Sequence, residues 1–344
     1  MLISDKWTDY ELLDCSDGER LERWGQYTLV RPDPQVIWQT PKEHPGWGYP
    51  DARYERSQTG GGSWNIRGQG SRKGAGSREQ GQRAADAQDL GARGQDLVRT
   101  GDARERGATE NVPKAHGEQG TRVAGKLPDK WRVAYGELAF NVSLMNFKHT
   151  GVFPEQAVNW DRITDAISLA ERKVSVLNLF AYTGGATLAA AAAGADVCHV
   201  DAARGMVARA RENAQSSGLA EKPVRWIVDD CAKFVQREIN RGRRYDVLMM
   251  DPPSYGRGPS GEVWKLEDDL YAFLKLCSGV LSDTPLFVLI NSYTTGLSPS
   301  TMSYMVQSLL GGQAASDELG LPVTSSGASL PCGASCWWER SAGA

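Results

Sequence analysis

The stretch Ser175–Ala195, SVLNLFAYTGGATLAAAAAGA, decides the fold. A short apolar run, SVLNLF, closes on a glycine turn and is followed by a helix-length segment. That is the order of a strand, a tight turn and a covering helix. Glycine in such a turn has no Cβ, so a ligand can approach the backbone closely. The same unit recurs downstream. DVCHVD (196–201), VRWIVD (224–229), YDVLMMD (245–251) and PLFVLIN (285–291) are short, apolar and rich in branched residues, and a helix-length segment separates each from the next. Strands that alternate with helices imply an α/β chain, with a parallel sheet covered on both faces.

Upstream, WRVAYGELAFNVSL (131–144) alternates apolar and other residues on either side of Gly136-Glu137, a hairpin signal. Pro154 then opens a predicted helix, EQAVNWDRITDAISLAER, with an apolar stripe at Val158, Ile163, Ile167 and Leu169. The first fifty-odd residues mix short alternating runs such as LERWGQYTLV with the turn formers RPDPQ, a β-rich pattern. Between these units, composition shifts to Gly, Arg, Gln, Ala and Asp with few large apolar residues, and such a stretch does not offset its own ordering entropy. It reads either as an arginine-bearing arm that gathers RNA phosphates or as an insertion without a role, and its interspersed acids favour the insertion. The predicted organisation is therefore a small β-rich unit over 1–56, a low-complexity insertion over 57–127, a hairpin and connector over 128–153, and the main α/β domain over 154–344. Removal of Gln58 to Lys126 is expected to leave the fold intact.

No window of the 344 residues approaches the roughly 20 uninterrupted apolar residues of a bilayer-spanning helix. The start, MLISDKWTDYELLDC, carries acids where a secretory signal needs a basic region and an apolar run. Six scattered cysteines lack the density of a disulfide scaffold and suit a reducing cytoplasm. Cys332 and Cys336 have no second cysteine pair or nearby histidine to complete a tetrahedral site, so neither a metal nor a membrane partner is expected. A net charge of −3 leaves nucleic acid open as a partner, because a basic face can hide in a balanced total. Homo-oligomerisation is left open as well.

In a parallel sheet, ligands sit beyond the carboxyl ends of the strands. The first run ends in Phe180-Ala181-Tyr182-Thr183-Gly184-Gly185, and the second in Asp201. A carboxylate there, about twenty residues after the turn begins, can accept from both hydroxyls of a ribose. The third run ends in Asp229-Asp230 and the fourth in Asp251-Pro252-Pro253-Ser254. Any one of these aspartates is commonly no more than a helix N-cap. The ordered set of four is what carries the functional reading.

Those strings resemble the class I methyltransferases, a Rossmann-like fold with a seven-stranded, mostly parallel sheet. More narrowly, they resemble the bacterial large-subunit ribosomal RNA methyltransferases RlmI and RlmK. LNLFAYTGGATLAAAAAGA is similar to that group's first motif, HVDAARGMVARARENA to its second, IVDDCAKFV to its third and VLMMDPPSY to its fourth. FKHTGVFPEQ resembles the segment that closes over the cofactor in the family. The resemblance implies S-adenosyl-L-methionine as cofactor and RNA, most naturally ribosomal RNA, as substrate. It implies that Phe180 to Gly185 wrap the methionine end, that Asp201 holds the ribose, and that Asp230 or Asp229, with the Cys231 backbone, meets the adenine. Asp251 to Ser254 would border the methyl group and the incoming base, with the Pro252-Pro253 carbonyls and Ser254 accepting from an exocyclic amine, while Gln156 helps close the pocket.

Transfer needs no metal, since a sulfonium already makes its methyl group electrophilic and the protein mainly aligns the attack. Methylation at carbon 5 of cytosine commonly uses a thiolate, yet the fourth motif ends in Ser254 and the next strand in Asn291-Ser292-Tyr293. Cys231 is read as a packing residue. A dehydrogenase is set aside because the turn lacks GxGxxG. A methyltransferase of small molecules or proteins, and a non-catalytic RNA-binding protein, are the alternatives. Replacing Asp201 with Ala is expected to weaken cofactor binding by roughly ten- to a hundredfold, the loss of one or two charge-assisted hydrogen bonds, and calorimetric titration with the cofactor measures it.

Overall fold

The structure is a computed structural model that describes residues 1–57, 61–72, 127–145, 147–257, 263–294 and 296–340. Strand β1 (Leu2–Ile3) is followed by β2 (Tyr10–Ser16), β3 (Glu19–Trp24), β4 (Tyr27–Pro32), β5 (Ala52–Arg56), β6 (Gly62–Ile66) and β7 (Gly70–Arg72). The hairpin β8 (Trp131–Tyr135) and β9 (Leu138–Val142) precedes a 3-10 turn, Pro154–Gln156, and helix α1 (Ala157–Ser168). The alternating region then runs β10 (Ser175–Leu179), α2 (Gly185–Ala192), β11 (Asp196–Asp201), α3 (Arg204–Ser216), β12 (Val224–Val228), α4 (Cys231–Asn240) and β13 (Val247–Met250). It is completed by the short ribbon β14 (Tyr255–Arg257) and β15 (Val263–Lys265), α5 (Leu266–Ser278), β16 (Phe287–Ser292), α6 (Pro299–Leu310), β17 (Gln313–Pro322) and β18 (Ser329–Glu339).

The main sheet has eight strands in the order β1-β17-β18-β16-β13-β10-β11-β12. The five strands from β16 to β12 are parallel, and β18 lies antiparallel between β16 and β17. Seven of the eight come from the alternating region; the eighth, β1, is the start of the chain pairing in parallel with β17. The chain winds outward from β10 through β11 to β12, then returns to place β13 on the other side of β10. This reversal opens a crevice between the carboxyl ends of β10 and β13, the position at which such sheets bind ligands.

Successive residues of the central strands enter opposite cores, as the two-residue period of a strand requires. Val176, Val247, Met249 and Leu289 face the side packed by α1 and α2, whereas Leu177, Leu179, Leu248 and Ile290 face the side packed by α4, α5 and α6. The edge strand β12 is only half covered, and Val228 is 44% exposed. In α1 the buried stripe is Ala157, Trp160, Ile163 and Ile167; Leu169, expected within it, is exposed, because the helix has already ended at Ser168. Cys332 and Cys336 fall in opposite cores, since the bulge at Leu319/Gly320 shifts the register of β18 between them.

Strands β2 to β7 form a separate six-stranded sheet. It does not stop at residue 56. Trp64 and Ile66 of β6 are buried in the same apolar cluster as Trp24 and Leu29, so the ordered sheet continues into the segment that composition assigned to the insertion. The reason is local: GSWNI supplies two large apolar residues at alternate positions in an otherwise polar run. The expectation that removing Gln58 to Lys126 leaves the fold intact is corrected accordingly, since that cut takes out Trp64. The part of that insertion from 73 to 126 lies outside the described residues. Among the described residues no helix is long and apolar enough to cross a membrane.

The six-stranded sheet also holds the chain that leads into the crevice. Trp64 Nε1 donates to the carbonyls of Met145 (2.9 Å) and Phe147 (3.1 Å), and Arg31 Nη1 to that of Lys148 (3.0 Å). From the segment that precedes this sheet, Ser4 Oγ and Trp7 Nε1 both donate to the Pro154 carbonyl, at 2.8 and 2.9 Å. Trp64→Ala is expected to destabilise the protein by about 3–5 kcal/mol through the cavity it opens and the carbonyls it orphans, read as a lowered midpoint in urea unfolding.

Candidate active site

The turn after β10 is built from unfavourable backbone. Phe180 (φ 52°), Tyr182 (φ 50°) and Gly184 (φ 90°) all adopt left-handed conformations. For two aromatic residues this is costly and persists only where neighbours over-determine it. They do so here. Tyr182 N donates to Asp201 Oδ2 at 2.9 Å, Ala181 N to the Val200 carbonyl at 3.1 Å, and Thr183 Oγ1 to the Gly151 carbonyl at 2.6 Å. Asn213 Nδ2 reaches the Thr183 carbonyl at 3.0 Å, and the Phe180 ring packs on Trp264 and Phe273. A Cβ on Gly185 would lie 2.5 Å from the Trp160 ring, so the start of α2 and α1 pack too closely for any side chain there.

This turn forms one wall of a cleft enclosing about 530 Å³ of empty space, part of it open to solvent. Gln156, Phe180, Ala181, Tyr182, Thr183, Gly185 and Asp251 line it, seven of the residues the sequence singled out. Phe153, Trp160, Asn178, Met249 and Asn291 are among the other residues of the wall. Gly184 belongs to the same turn but packs against Leu188 and Ala210. Asp201 stands behind the turn, its two oxygens accepting from Tyr182 N and, at 2.8 Å, from Ala203 N. Burial pushes its carboxyl up, and these two backbone donors oppose the shift. Each oxygen keeps a lone pair for a further donor.

The third-strand residues behave differently. Asp230 caps α4 by accepting from Lys233 N at 2.8 Å, and Asp229 is paired with Arg237. Both stand at the open end of the edge strand β12, outside the cleft lining. Cys231 is buried in the core with its thiol pushed well above its ordinary range, first by burial. At the fourth strand end the expected acceptors are already engaged: the Pro253 carbonyl accepts from Trp264 Nε1 at 2.6 Å, and Ser254 Oγ from Thr294 Oγ1 at 2.6 Å. Each of these oxygens has a second lone pair, so the expectation that they meet an incoming amine stays open. Pro252 is buried between Asp251 and Pro253 and does not line the cleft.

Asp251 is the exception. Its Oδ1 is shielded from solvent and accepts no hydrogen bond, and burial, then the neighbouring Glu155, raise its pKa to about 7. A buried acceptor without a donor is expensive in a finished fold and marks a place where a ligand completes the set. The sequence reading missed the polar cluster beside it. Gln156 Nε2 donates to Tyr293 Oη at 2.8 Å, Asn159 Nδ2 donates to Gln156 Oε1 (2.9 Å) and Asn291 Oδ1 (3.1 Å), and Ser335 Oγ closes on Asn159 Oδ1 at 3.2 Å. Asn291 and Tyr293 end the fifth apolar run, so the strand-end position that marks the first four sites marks them too. Among the described residues no group of three His, Cys, Asp or Glu is placed to hold a metal.

The family model for S-adenosylmethionine-dependent methyltransferases matches residues 116–296. The chain belongs to that family. A solved S-adenosylmethionine-dependent methyltransferase from Agrobacterium tumefaciens superposes with a TM-score of 0.78 and 31% identity, over 99% of this chain and 93% of that one. Ribosomal RNA large subunit methyltransferase K/L of Chromohalobacter salexigens is 32% identical over 149 residues, 41% of this chain and 19% of that protein. Ribosomal RNA large subunit methyltransferase I of Aeromonas salmonicida is 32% identical over 115 residues, 33% of this chain and 28% of that protein. The match thus spans between about a fifth and just over a quarter of the length of these curated relatives. The residues present fit the family's cofactor, since an unpaired buried carboxylate oxygen at Asp251 suits a ligand that carries positive charge.

Gly185→Ala is expected to cost about 1–3 kcal/mol by overpacking Trp160, seen as a lowered melting temperature, and to weaken cofactor binding in the same preparation.

Proposed function

We propose that the chain methylates a base of RNA, most naturally ribosomal RNA, by direct transfer from S-adenosyl-L-methionine. The observation that carries this reading is the pairing of Asp251, with its open carboxylate oxygen, and a cluster of aromatic rings at one cleft. Phe153 packs at 5.4 Å from Tyr182 and 5.3 Å from Tyr293, and its other neighbour is the His149 ring at 5.7 Å. Flat rings are what an unstacked base is held by, and the acid beside them suits the cationic cofactor. The named substrates of the K/L and I relatives support the same acceptor.

In this reading the turn from Phe180 to Gly185 receives the methionine end of the cofactor, Asp201 accepts from the ribose hydroxyls, and Asp230 with the Cys231 backbone borders the adenine. The bound cofactor supplies an electrophilic methyl group on a sulfonium. The protein's own work is to orient and to exclude water. Asp251 places a negative charge beside the cation, Gln156 and Asn159 hold the wall through their amide network, and Pro252 to Ser254 stiffen the strand end through Trp264 and Thr294. We place the protein in the cytoplasm, where its substrate is made.

Mass-spectrometric mapping of ribosomal RNA from cells with and without the gene tests the acceptor: one base methylation is expected to disappear, and an unchanged map sends the search to small-molecule and protein acceptors. The cofactor side has its own test. Asp251 titrates near 7 in the free protein, and a cation binds best to the ionised form, so binding below that pH must first displace a proton. Affinity is expected to rise as pH goes from 6 towards 8, by up to about tenfold per unit below the pKa and then to level off. Asp251→Asn is expected to bind weakly at every pH and to lose that slope.

A further inference from the structure

Near the carboxyl end of β16 stands an amide that the fold uses on one side only. Asn291 lines the cleft and is 7% exposed. Its Oδ1 is held from behind. Asn159 Nδ2 spends both hydrogens, one on Gln156 Oε1 (2.9 Å) and one on Asn291 Oδ1 (3.1 Å), while Asn159 Oδ1 accepts from Ser335 Oγ at 3.2 Å. Asn159 is itself 1% exposed and lines no part of the cleft. Gln156 carries the same network to Tyr293 Oη at 2.8 Å, and the Tyr293 ring packs on Phe153, so this amide and the stacking rings belong to one connected wall. Among the described residues Asn291 Nδ2 has no partner, and it is not sealed from solvent as Asp251 Oδ1 is; it opens on the cleft. An amide kept for the fold alone spends both its ends inside the protein.

The strand register places this donor. β13 and β16 pair in parallel with Met250 opposite Ile290, so Asp251 and Asn291 stand side by side one rung further on, on strands about 4.8 Å apart and on the same face of the sheet. That neighbour also fixes the sense of the network. The Ser335 and Tyr293 hydroxyls can each donate or accept, so the amides could all be reversed together, but reversal would turn the Asn291 oxygen towards the Asp251 carboxylate, and like charges oppose it. Along the rim the groups run Asp201 on β11, Phe180 on β10, Asp251 on β13 and Asn291 on β16. The cofactor reading takes the first three. Asn291 is on the far side of Asp251 from the ribose, where the group that receives the methyl would lie.

Resting on the RNA reading above, we propose that Asn291 reads the incoming base: its Nδ2 donates to a lone pair on the edge of the base that carries the methylated atom, and Asn159 is the positioning residue that keeps this donor outward. The edge that is methylated therefore bears a carbonyl oxygen or an unprotonated ring nitrogen beside the reacting atom. Guanine N7 with O6, adenine N6 with N7 and uracil C5 with O4 meet the condition. Carbon 5 of cytosine does not, because its edge offers only the N4 amine, a donor set against a donor.

The test compares wild type, Asn291→Leu, Asn291→Asp and Asn159→Asp as full chains at pH 8, with ribosomal RNA from cells lacking the gene. Cofactor affinity is read by calorimetry, kcat/KM for the RNA by radiolabel transfer at saturating cofactor, and the product by nucleoside mass spectrometry. Asn291→Leu is expected to keep cofactor affinity within about threefold and to lose roughly ten- to a hundredfold in kcat/KM, the effect of leaving one lone pair of an enclosed base unmet. Asn291→Asp keeps the bond from Asn159 but replaces the donor by an acceptor, and is expected to lose at least as much with no fall in cofactor affinity. Asn159→Asp draws the amide NH2 groups inward and turns the Asn291 oxygen to the cleft; it is expected to lose a similar factor alone, but less than about threefold more when added to Asn291→Leu. Full kcat/KM in Asn291→Leu and Asn291→Asp, a loss confined to cofactor affinity, a fully additive double variant, or a wild-type product methylated at carbon 5 of cytosine overturns the assignment while leaving the RNA reading standing. Wild type that transfers no methyl group to this RNA overturns the RNA reading, and this inference with it.

Discussion

The structure depends on a backbone that would not hold its shape alone. Phe180 and Tyr182 sit in left-handed conformations that aromatic residues avoid, and the Asp201 carboxylate keeps them there by accepting from Tyr182 N. One carboxylate thus does two jobs from a single position. It fixes the turn that shapes the cleft, and it keeps a lone pair on each oxygen beyond the two backbone donors. The close packing of Gly185 on Trp160 locks the same turn from the opposite side, so the wall of the cleft is over-determined by covalent geometry, hydrogen bonding and packing together.

The N-terminal sheet is coupled to this wall rather than appended to it. Through Trp64 and Arg31 it takes up three backbone hydrogen bonds along the segment that brings Phe153 and Gln156 to the crevice, and Ser4 and Trp7, which precede the sheet, add two more at Pro154. A segment whose carbonyls are satisfied by another sheet cannot shift without orphaning them, and that cost gives the cleft its rigidity. Within that sheet Glu22 is paired with both Arg20 and Arg31. Asp251 keeps an open carboxylate oxygen in a wall otherwise satisfied by amide, hydroxyl and aromatic groups.

Much of the fold was legible because parallel strands announce themselves twice, by an apolar run and by what closes it. SVLNLF, DVCHVD and YDVLMMD carry both signals, and each became a central strand. VRWIVD carried them too, yet β12 lies at the sheet edge and leaves Val228 exposed, which a run of residue types cannot reveal because burial is set by neighbours. GSWNI was lost inside a polar stretch, since two large residues in five do not register against a long background of Gly and Arg. At the site, strand ends pointed to Phe180–Gly185, Asp201 and Asp251, but could not separate Asp230, which caps a helix, from Asp251, which has no partner.

What the sequence determined by itself was the list of groups at the carboxyl end of each strand, because periodicity places a strand's last residue at the rim of a parallel sheet. The tertiary structure decided which of those groups were spent on the fold and which were left open. Pro253 and Ser254 found partners in Trp264 and Thr294, residues far enough along the chain that no local pattern predicts the contact. Asp251 Oδ1 found none, because the elements that enclose it brought apolar and amide surface instead of a donor aimed at that oxygen. A hydrogen bond is a property of two residues and the space between them, and that space exists only once the chain has folded.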